Sequence, residues 1–74
     1  MDDDTLDLKG LKCPLPALLA KRRLSHAKPG ATILVITDDP MAPIDVPFMC
    51  RNEGFEVLET LRDGDEARMR LKRP

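Results

Sequence analysis

Aromatic residues are nearly absent from this chain of 74 residues, which contains two Phe and neither Trp nor Tyr. Proteins that bind single-stranded nucleic acid without sequence preference stack its bases on aromatic side chains, and this sequence offers no such platform. An excess of charge of one sign is also missing, because 12 basic residues oppose 13 acidic ones and the net charge is −1. The molecule as a whole therefore has no long-range attraction to nucleic acid or to an anionic membrane.

Long apolar runs, histidine and cysteine are equally scarce. No apolar segment approaches the roughly 20 residues of a membrane-spanning helix, and no secretory hydrophobic region precedes a cleavage site, so we expect a cytoplasmic protein without a membrane role. The single histidine, His26, and two cysteines far apart in the chain lack the spacing of zinc ligands. We expect no metal and no cofactor. In a reducing compartment a reactive thiol is favoured over a structural disulfide.

What the sequence does contain is the composition of a small globular domain. Apolar residues make up 42% of the chain, mostly aliphatic, and its length allows one domain covering residues 1–74. The acidic opening, residues 1–4, is expected to fray. We expect the domain to be a monomer.

Four segments have the residue pattern of β-strands. Thr5–Lys9 alternates apolar and polar residues, and Ala31–Thr37 is a continuous β-branched and aliphatic run typical of a central strand. Phe55–Leu61 and Ala67–Leu71 flank an Asp-Gly turn and predict a hairpin. The residues of the last strand expected to face the core are Ala67, Met69 and Leu71, and those expected to face solvent are Arg68, Arg70 and Lys72.

Two helices are predicted between these strands. The first spans Pro14–Ala27, stopped by Lys28-Pro29-Gly30, and the second spans Pro43–Glu53, stopped by Gly54. Apolar residues on the second helix are too many for one narrow stripe. The order β-α-β-α-β-β predicts a two-layer α/β (α+β) sandwich, in which a mixed four-stranded sheet carries both helices on one face.

The most informative residue is Cys13, in the sequence Cys13-Pro14-Leu15-Pro16 at the start of the first predicted helix. At a helix N-terminus, unpaired N–H groups and the positive end of the macrodipole favour an anion such as a thiolate. Pro14 suits the first helical position, because it lacks the N–H that would be unpaired there. We expect the N–H groups of Leu15 and Ala17 to face the sulfur.

Positive charge upstream supports the same expectation. Lys9 and Lys12 lie just upstream of Cys13, and no acidic residue occurs between Lys9 and the end of the predicted helix. We therefore predict a local field of one sign, a lowered pKa of the Cys13 thiol and a nucleophilic sulfur. The alternative is that Cys13 is a buried and inert residue, as free cysteines usually are.

Other candidate residues allow two interpretations each. Leu15, Leu18 and Leu19 form either an exposed apolar collar for partner docking or the edge of the core. Asp38 and Asp39 are either a turn device at the end of a strand or an acidic rim that faces a partner. The remaining assignments are simpler: Cys50 is expected to be a buried packing residue, and His26 a solvated residue at the end of the helix.

Three segments together carry a resemblance to a known family. The segment from Leu6 to Pro16, which contains Cys-Pro-x-Pro, is followed by Asp38-Asp39-Pro40 and by Asp45-Val46-Pro47. In these residues the chain resembles the TusA/SirA-like sulfur-carrier (sulfurtransferase) family over nearly its whole length. It departs from the family pattern at Pro43 and Ile44, where more polar residues are expected.

The resemblance implies a sulfur carrier. In such proteins the cysteine matched by Cys13 accepts sulfur as a persulfide from a cysteine desulfurase or a rhodanese and relays it to an acceptor, such as a DsrE-like protein. The destinations in similar proteins are tRNA thiolation, molybdenum-cofactor assembly and sulfur oxidation. The residues that support Cys13 would be Lys9, Gly10, Lys12, Pro14 and Pro16, and the docking candidates are Leu15, Leu18, Leu19, Asp38, Asp39 and Asp45.

Two other function classes remain open from the sequence. A thiol redox sensor would pair Cys13 with Cys50, and would need their Cα atoms within about 7 Å. A nucleic-acid-binding regulator would use the basic residues of the last strand. Position 16, where a Cys-x-x-Cys redox motif would have its second cysteine, is occupied by Pro16, which disfavours a thioredoxin-like role. The resemblance implies a persulfide relay of the sulfurtransferase type rather than enzymatic turnover of a small substrate.

Overall fold

The computed structural model describes residues 4–74 and contains, within that range, six elements in the predicted order. The elements are β1 (Asp4–Asp7), α1 (Leu15–Ser25), β2 (Thr32–Thr37), α2 (Ala42–Glu53), β3 (Glu56–Asp63) and β4 (Glu66–Lys72). The predicted β-α-β-α-β-β order is confirmed. In this described part of the chain, no helix combines the length and the apolar character needed to cross a membrane.

The four strands form one mixed sheet in the order β1-β2-β4-β3. β1 and β2 are parallel and are connected through α1, whereas β4 is antiparallel to both β2 and β3. The last strand is thus central, with β1 and β3 at the edges. Because β1 and β2 run parallel, the loops that follow them leave from the same end of the sheet. This end carries the candidate site.

Both helices pack on one face of the sheet and enclose the core. α1 buries Pro16, Ala20 and Leu24 at a spacing of four residues, and α2 buries a second set of four side chains. The hydrophobic core consists of Leu8, Ala20, Leu24, Ile33, Val35, Ala42, Val46, Met49, Cys50, Met69 and Leu71. The predicted two-layer sandwich is therefore confirmed.

The last strand, β4, follows the predicted alternation, whereas every residue of the edge strand β3 is exposed. In β4, Ala67, Met69 and Leu71 are buried against the helices, while Arg68 on the opposite face is exposed. The hairpin pairs Asp63 with Glu66 around a two-residue turn in which Gly64 has a φ of 61°. A positive φ at the first turn position is what glycine supplies there.

Element ends differ from the prediction by one or two residues in several places. β1 ends at Asp7 rather than Lys9, although the Leu8 N–H still donates to the Ile36 carbonyl at 2.7 Å. Asp4, which was expected to fray, is the first residue of β1. Its carboxylate forms an ion pair with the Arg23 guanidinium, with an N–O distance of 3.9 Å. The rest of the predicted frayed segment, residues 1–3, lies outside the described residues.

The carboxyl end of α1 shows why the helix stops earlier than predicted. α1 ends at Ser25 with His26 as its C-cap, before Lys28-Pro29-Gly30. The Arg73 guanidinium donates to three carbonyl oxygens there, those of Leu24, Ser25 and Ala27, at 3.3, 2.8 and 2.7 Å. A cation that binds the last carbonyls of a helix also interacts favourably with its dipole. The end of the chain thus anchors the far end of α1.

Candidate functional site

Cys13 lies just before α1, in the loop that follows β1, and its side chain is exposed. The helix begins at Leu15, with Pro14 as its N-cap and Pro16 in its first turn, so the predicted start at Pro14 is one residue too early. The peptide bond between Cys13 and Pro14 is cis. Exposure contradicts the alternative that Cys13 is a buried and inert residue.

The groups expected to favour a thiolate are largely engaged elsewhere. The Leu15 N–H donates to the Lys12 carbonyl at 2.9 Å, so the prediction that it faces the sulfur is wrong. The Lys9 ammonium lies 3.8 Å from an Asp7 carboxylate oxygen. Positive charge upstream is therefore partly compensated, and the start of α1 offers the sulfur fewer donors than the sequence indicated.

The sulfur's partner comes from α2 instead. Cys13 Sγ donates a hydrogen bond to Asp45 Oδ2 at 2.6 Å, across 32 positions of sequence. Asp45 lies in the first turn of α2, where its N–H donates to the Met41 carbonyl at 2.8 Å. No side chain caps this end of α2. The Asp45 carboxylate is thus carried by the first turn of α2 and bonded to the sulfur rather than to its own helix terminus.

This contact reverses the predicted electrostatics of the thiol. The hydrogen bond to Asp45 raises the pKa of Cys13, and slight desolvation and the negative charges of Asp45 and Asp39 raise it further. A carboxylate accepts a bond from the protonated thiol and repels the thiolate, so both effects favour the neutral form. The predicted lowered pKa and the field of one sign are therefore wrong.

Asp38 and Asp39 form hydrogen bonds that order the loops at this end of the sheet. Asp38 Oδ1 accepts a bond from the Gly10 N–H at 2.9 Å, which ties the loop before Cys13 to the end of β2. Asp39 Oδ2 accepts a bond from the Met41 N–H at 3.1 Å, just before α2. Of the two interpretations, these bonds support the turn device. Asp39 also adds negative charge near the sulfur.

A groove of about 400 Å³ opens beside Cys13, between α1 and α2. Its walls include Cys13, Leu18, Asp45, Phe48 and Met49. Lys21 and Glu53, also on the groove wall, form an ion pair of 3.3 Å between the two helices. The sulfur and the carboxylate thus sit at the wall of a mainly apolar cleft that a partner's side chain can enter.

Exposed apolar residues occur on the two helices that form this groove, and two of them, Leu18 and Phe48, line it. Of the three leucines of the possible collar, Leu15 and Leu18 are 45% and 53% exposed, whereas Leu19 packs against the core. Leu15 and Leu18 are therefore exposed, as the collar interpretation expects, whereas Leu19 belongs to the edge of the core. We call the large exposed apolar residues of the two helices and of the α2 N-cap the apolar collar, and its members are Leu15, Leu18, Met41, Ile44 and Phe48.

Met41, Ile44 and Phe48 were not identified as site residues from the sequence, although a signal for them exists. The apolar residues of the second helix exceed one narrow stripe, and the surplus is a second stripe with Ile44 and Phe48 four positions apart. Residues at this spacing share a helix face. Asp45 neighbours that stripe, and its contact with Cys13 follows from how the two helices pack.

Cys50 occupies the opposite environment. It is 1% exposed within the core, as predicted, and burial raises the pKa of its thiol to about 11. Asp45 and Cys50 are five residues apart on α2, so their side chains differ by about 140° around the helix. The face of α2 that meets Cys13 is therefore not the face that carries Cys50.

The remaining candidates lie away from the groove. His26 is exposed at the C-cap of α1, as predicted, and therefore at the opposite end of the helix from Cys13. The basic residues of β4 are partly paired, since Arg68 contacts Glu66 at 3.0 Å and Arg70 lies 3.8 Å from Glu59. Within residues 4–74, no three potential metal-binding side chains form a group.

Comparison with known proteins gives two consistent results. A family model described as Sulfurtransferase TusA matches residues 4–73. A crystal structure of a SirA-like protein from Desulfitobacterium hafniense is similar to the fold, with a TM-score of 0.79. The two chains share 24% sequence identity, and the match covers 92% of this chain and 93% of the other.

Proposed function

Because the chain belongs to the TusA sulfurtransferase family, we propose that it is a sulfur carrier in which Cys13 accepts sulfane sulfur as a persulfide and passes it to an acceptor protein. The observation that carries this proposal is the exposure of Cys13 at the wall of a groove between two helices. A nucleophilic sulfur must be reachable by the donor's persulfide, and in this position it is reachable.

A second requirement is that the bound sulfur is not lost. A nearby thiol would attack the persulfide and release its sulfur as sulfide, forming a disulfide. Cys50 is the only other cysteine, and it is buried on a different face of α2. Its burial supports a relay with a single thiol and argues against a redox sensor that would pair Cys13 with Cys50.

Docking would supply the specificity of the relay. The apolar collar presents five large exposed side chains, two of which line the groove, and exposed apolar patches commonly mark protein interaction sites. A cysteine desulfurase or a rhodanese would serve as donor, and a DsrE-like or related protein as acceptor. The pathway, whether tRNA thiolation, molybdenum-cofactor assembly or sulfur oxidation, stays open, and the cytoplasmic location stays a prediction.

The nucleic-acid alternative has little support. Arg68 and Arg70 are engaged with Glu66 and Glu59, which reduces the positive charge that the outer face of β4 presents. Binding to a phosphate backbone depends on cations that are available to neutralise phosphates.

Mass spectrometry of the intact protein tests the proposal. After incubation with a cysteine desulfurase and cysteine, or with a rhodanese and thiosulfate, we expect a gain of about 32 Da that dithiothreitol reverses. Cys13→Ser should abolish the gain and Cys50→Ser should keep it. A gain that survives Cys13→Ser, or no gain with either donor, would contradict the proposal.

A further inference from the structure

The bond between Cys13 and Asp45 raises a problem for the proposed function, on which this inference rests. A thiolate, not a thiol, attacks sulfur. Yet the hydrogen bond of 2.6 Å to Asp45 and the negative charge of that residue favour the protonated form of Cys13. The free carrier therefore holds its only exposed cysteine in the less reactive state.

We propose that Asp45 restrains Cys13 as a thiol in the unpartnered carrier, and that a cationic side chain of a docked sulfur donor neutralises Asp45 and releases the thiolate. The geometry supports this in two respects. The carboxylate is carried by the first turn of α2 and so does not depend on a loop. It also lines the same groove as the sulfur, where a partner's side chain can reach both.

The charges around the sulfur favour a cationic partner group. Asp45 and Asp39 act on the sulfur from the α2 side, whereas Lys12 comes before it in the chain. Lys21, the cation on the groove wall, is paired with Glu53 at 3.3 Å. A Lys or Arg that enters among the exposed apolar side chains would meet the Asp45 carboxylate next to the sulfur. Such a pair is charge-complementary.

The loading step needs no further reactant. The Cys13 Sγ–H bond breaks and its proton goes to solvent, and the sulfur's electron pair forms a new S–S bond to the outer sulfur of the donor persulfide. The donor's own S–S bond breaks, and its inner sulfur keeps that electron pair and takes a proton from solvent. The sum is Cys13-SH + R–S–SH → Cys13-S–SH + R–SH, without net oxidation or reduction.

The restraint has a direct consequence for specificity. A small electrophile or oxidant that diffuses into the groove carries no cation placed against Asp45, and so it meets the thiol. A docked donor meets the thiolate. The carrier would thereby react with its partner in preference to small molecules, although its cysteine is exposed.

The test compares alkylation of Cys13 by iodoacetamide across pH in the wild type and in Asp45→Asn. The amide can still accept a hydrogen bond but carries no charge, so we expect Cys13 to react severalfold faster at neutral pH, with its profile displaced to lower pH. Asp45→Glu keeps the charge and should stay close to the wild type. Asp65→Asn, the same change in the β3–β4 turn, should have no effect.

Superimposable profiles for Asp45→Asn and the wild type would overturn the proposal. Alkylation of Cys50 in the same samples reports on folding, because that thiol is buried. If Asp45→Asn exposes Cys50, the comparison is made with Asp45→Ser, and the same two outcomes decide it.

Loading by a cysteine desulfurase with cysteine forms the second arm and separates this proposal from the proposed function. We expect both proteins to gain about 32 Da, with the ratio of loading rate to alkylation rate severalfold lower in Asp45→Asn. An unchanged ratio would contradict release by a docked partner. Failure of the wild type to load would count against Cys13 as a sulfur carrier, whatever the alkylation profiles show.

Discussion

The two cysteines of this protein are chemically identical but stand in opposite environments. Cys13 is exposed at the start of α1 and bonded to a carboxylate, whereas Cys50 is buried on α2 among aliphatic side chains. Both thiols have a raised pKa. The cause is mainly the Asp45 hydrogen bond for Cys13 and desolvation for Cys50.

The difference teaches how each restraint can be removed. Desolvation of Cys50 ends only when the core opens, since water must reach the sulfur. The restraint on Cys13 comes mainly from the Asp45 carboxylate at the wall of an open groove, and an opposite charge placed against that carboxylate would weaken it. The two thiols therefore favour the protonated form for different physical reasons.

Alkylation of the native protein should show the largest contrast between the two thiols. Cys13 should react directly, whereas Cys50 should wait for unfolding or a large opening and react at least about a thousandfold more slowly. Maleimide labelling followed by peptide mass analysis measures both rates in one sample. Comparable rates would mean that the core around Cys50 opens readily and that the two thiols do not differ in accessibility.

Replacement of each cysteine by serine should change the free energy of unfolding by different amounts. Cys50→Ser buries a hydroxyl in an apolar core and should lower the free energy of unfolding by about 2 kcal/mol. Cys13→Ser should leave the urea midpoint nearly unchanged, because the site is exposed. Urea denaturation followed by circular dichroism tests both variants, and equal losses would show that Cys13 also has a packing role.

The titration of Cys50 should change the free energy of unfolding with pH, by less than the Cys50→Ser replacement does. The folded-state pKa of about 11 exceeds the ordinary value of 9.0, so the folded protein holds this proton more tightly than the unfolded chain does. The stabilisation that comes from this tightly held proton is complete below pH 9 and is lost as the pH rises towards 11. Between about pH 8 and pH 10 the expected loss is about 1 kcal/mol.

Cys50→Ala supplies the reference for this measurement, because it lacks the titrating group and shares all the others. The difference between its unfolding free energy and that of the wild type should change by the stated amount across the interval. A constant difference would show that burial does not hold the Cys50 proton as strongly as desolvation implies.

Local patterns predicted most of the fold. The alternation of Ala67, Met69 and Leu71 identified the inner face of β4, because strand side chains point to opposite faces in turn. Element ends were less accurate, as at α1, where Arg73 binds the final carbonyls from 46 to 49 positions away. A contact over that distance leaves no trace in the local pattern.

At the site, the sequence by itself determined that Cys13 lies at the start of a helix and that Cys50 lies on an apolar helix face. These properties depend on neighbouring residues and on helix and strand periodicity. Only the tertiary structure decided the sign of the charge that the Cys13 sulfur meets. Packing of α1 and α2 on the sheet brings Asp45 to within 2.6 Å of that sulfur from 32 positions away, and no local pattern encodes how two helices pack.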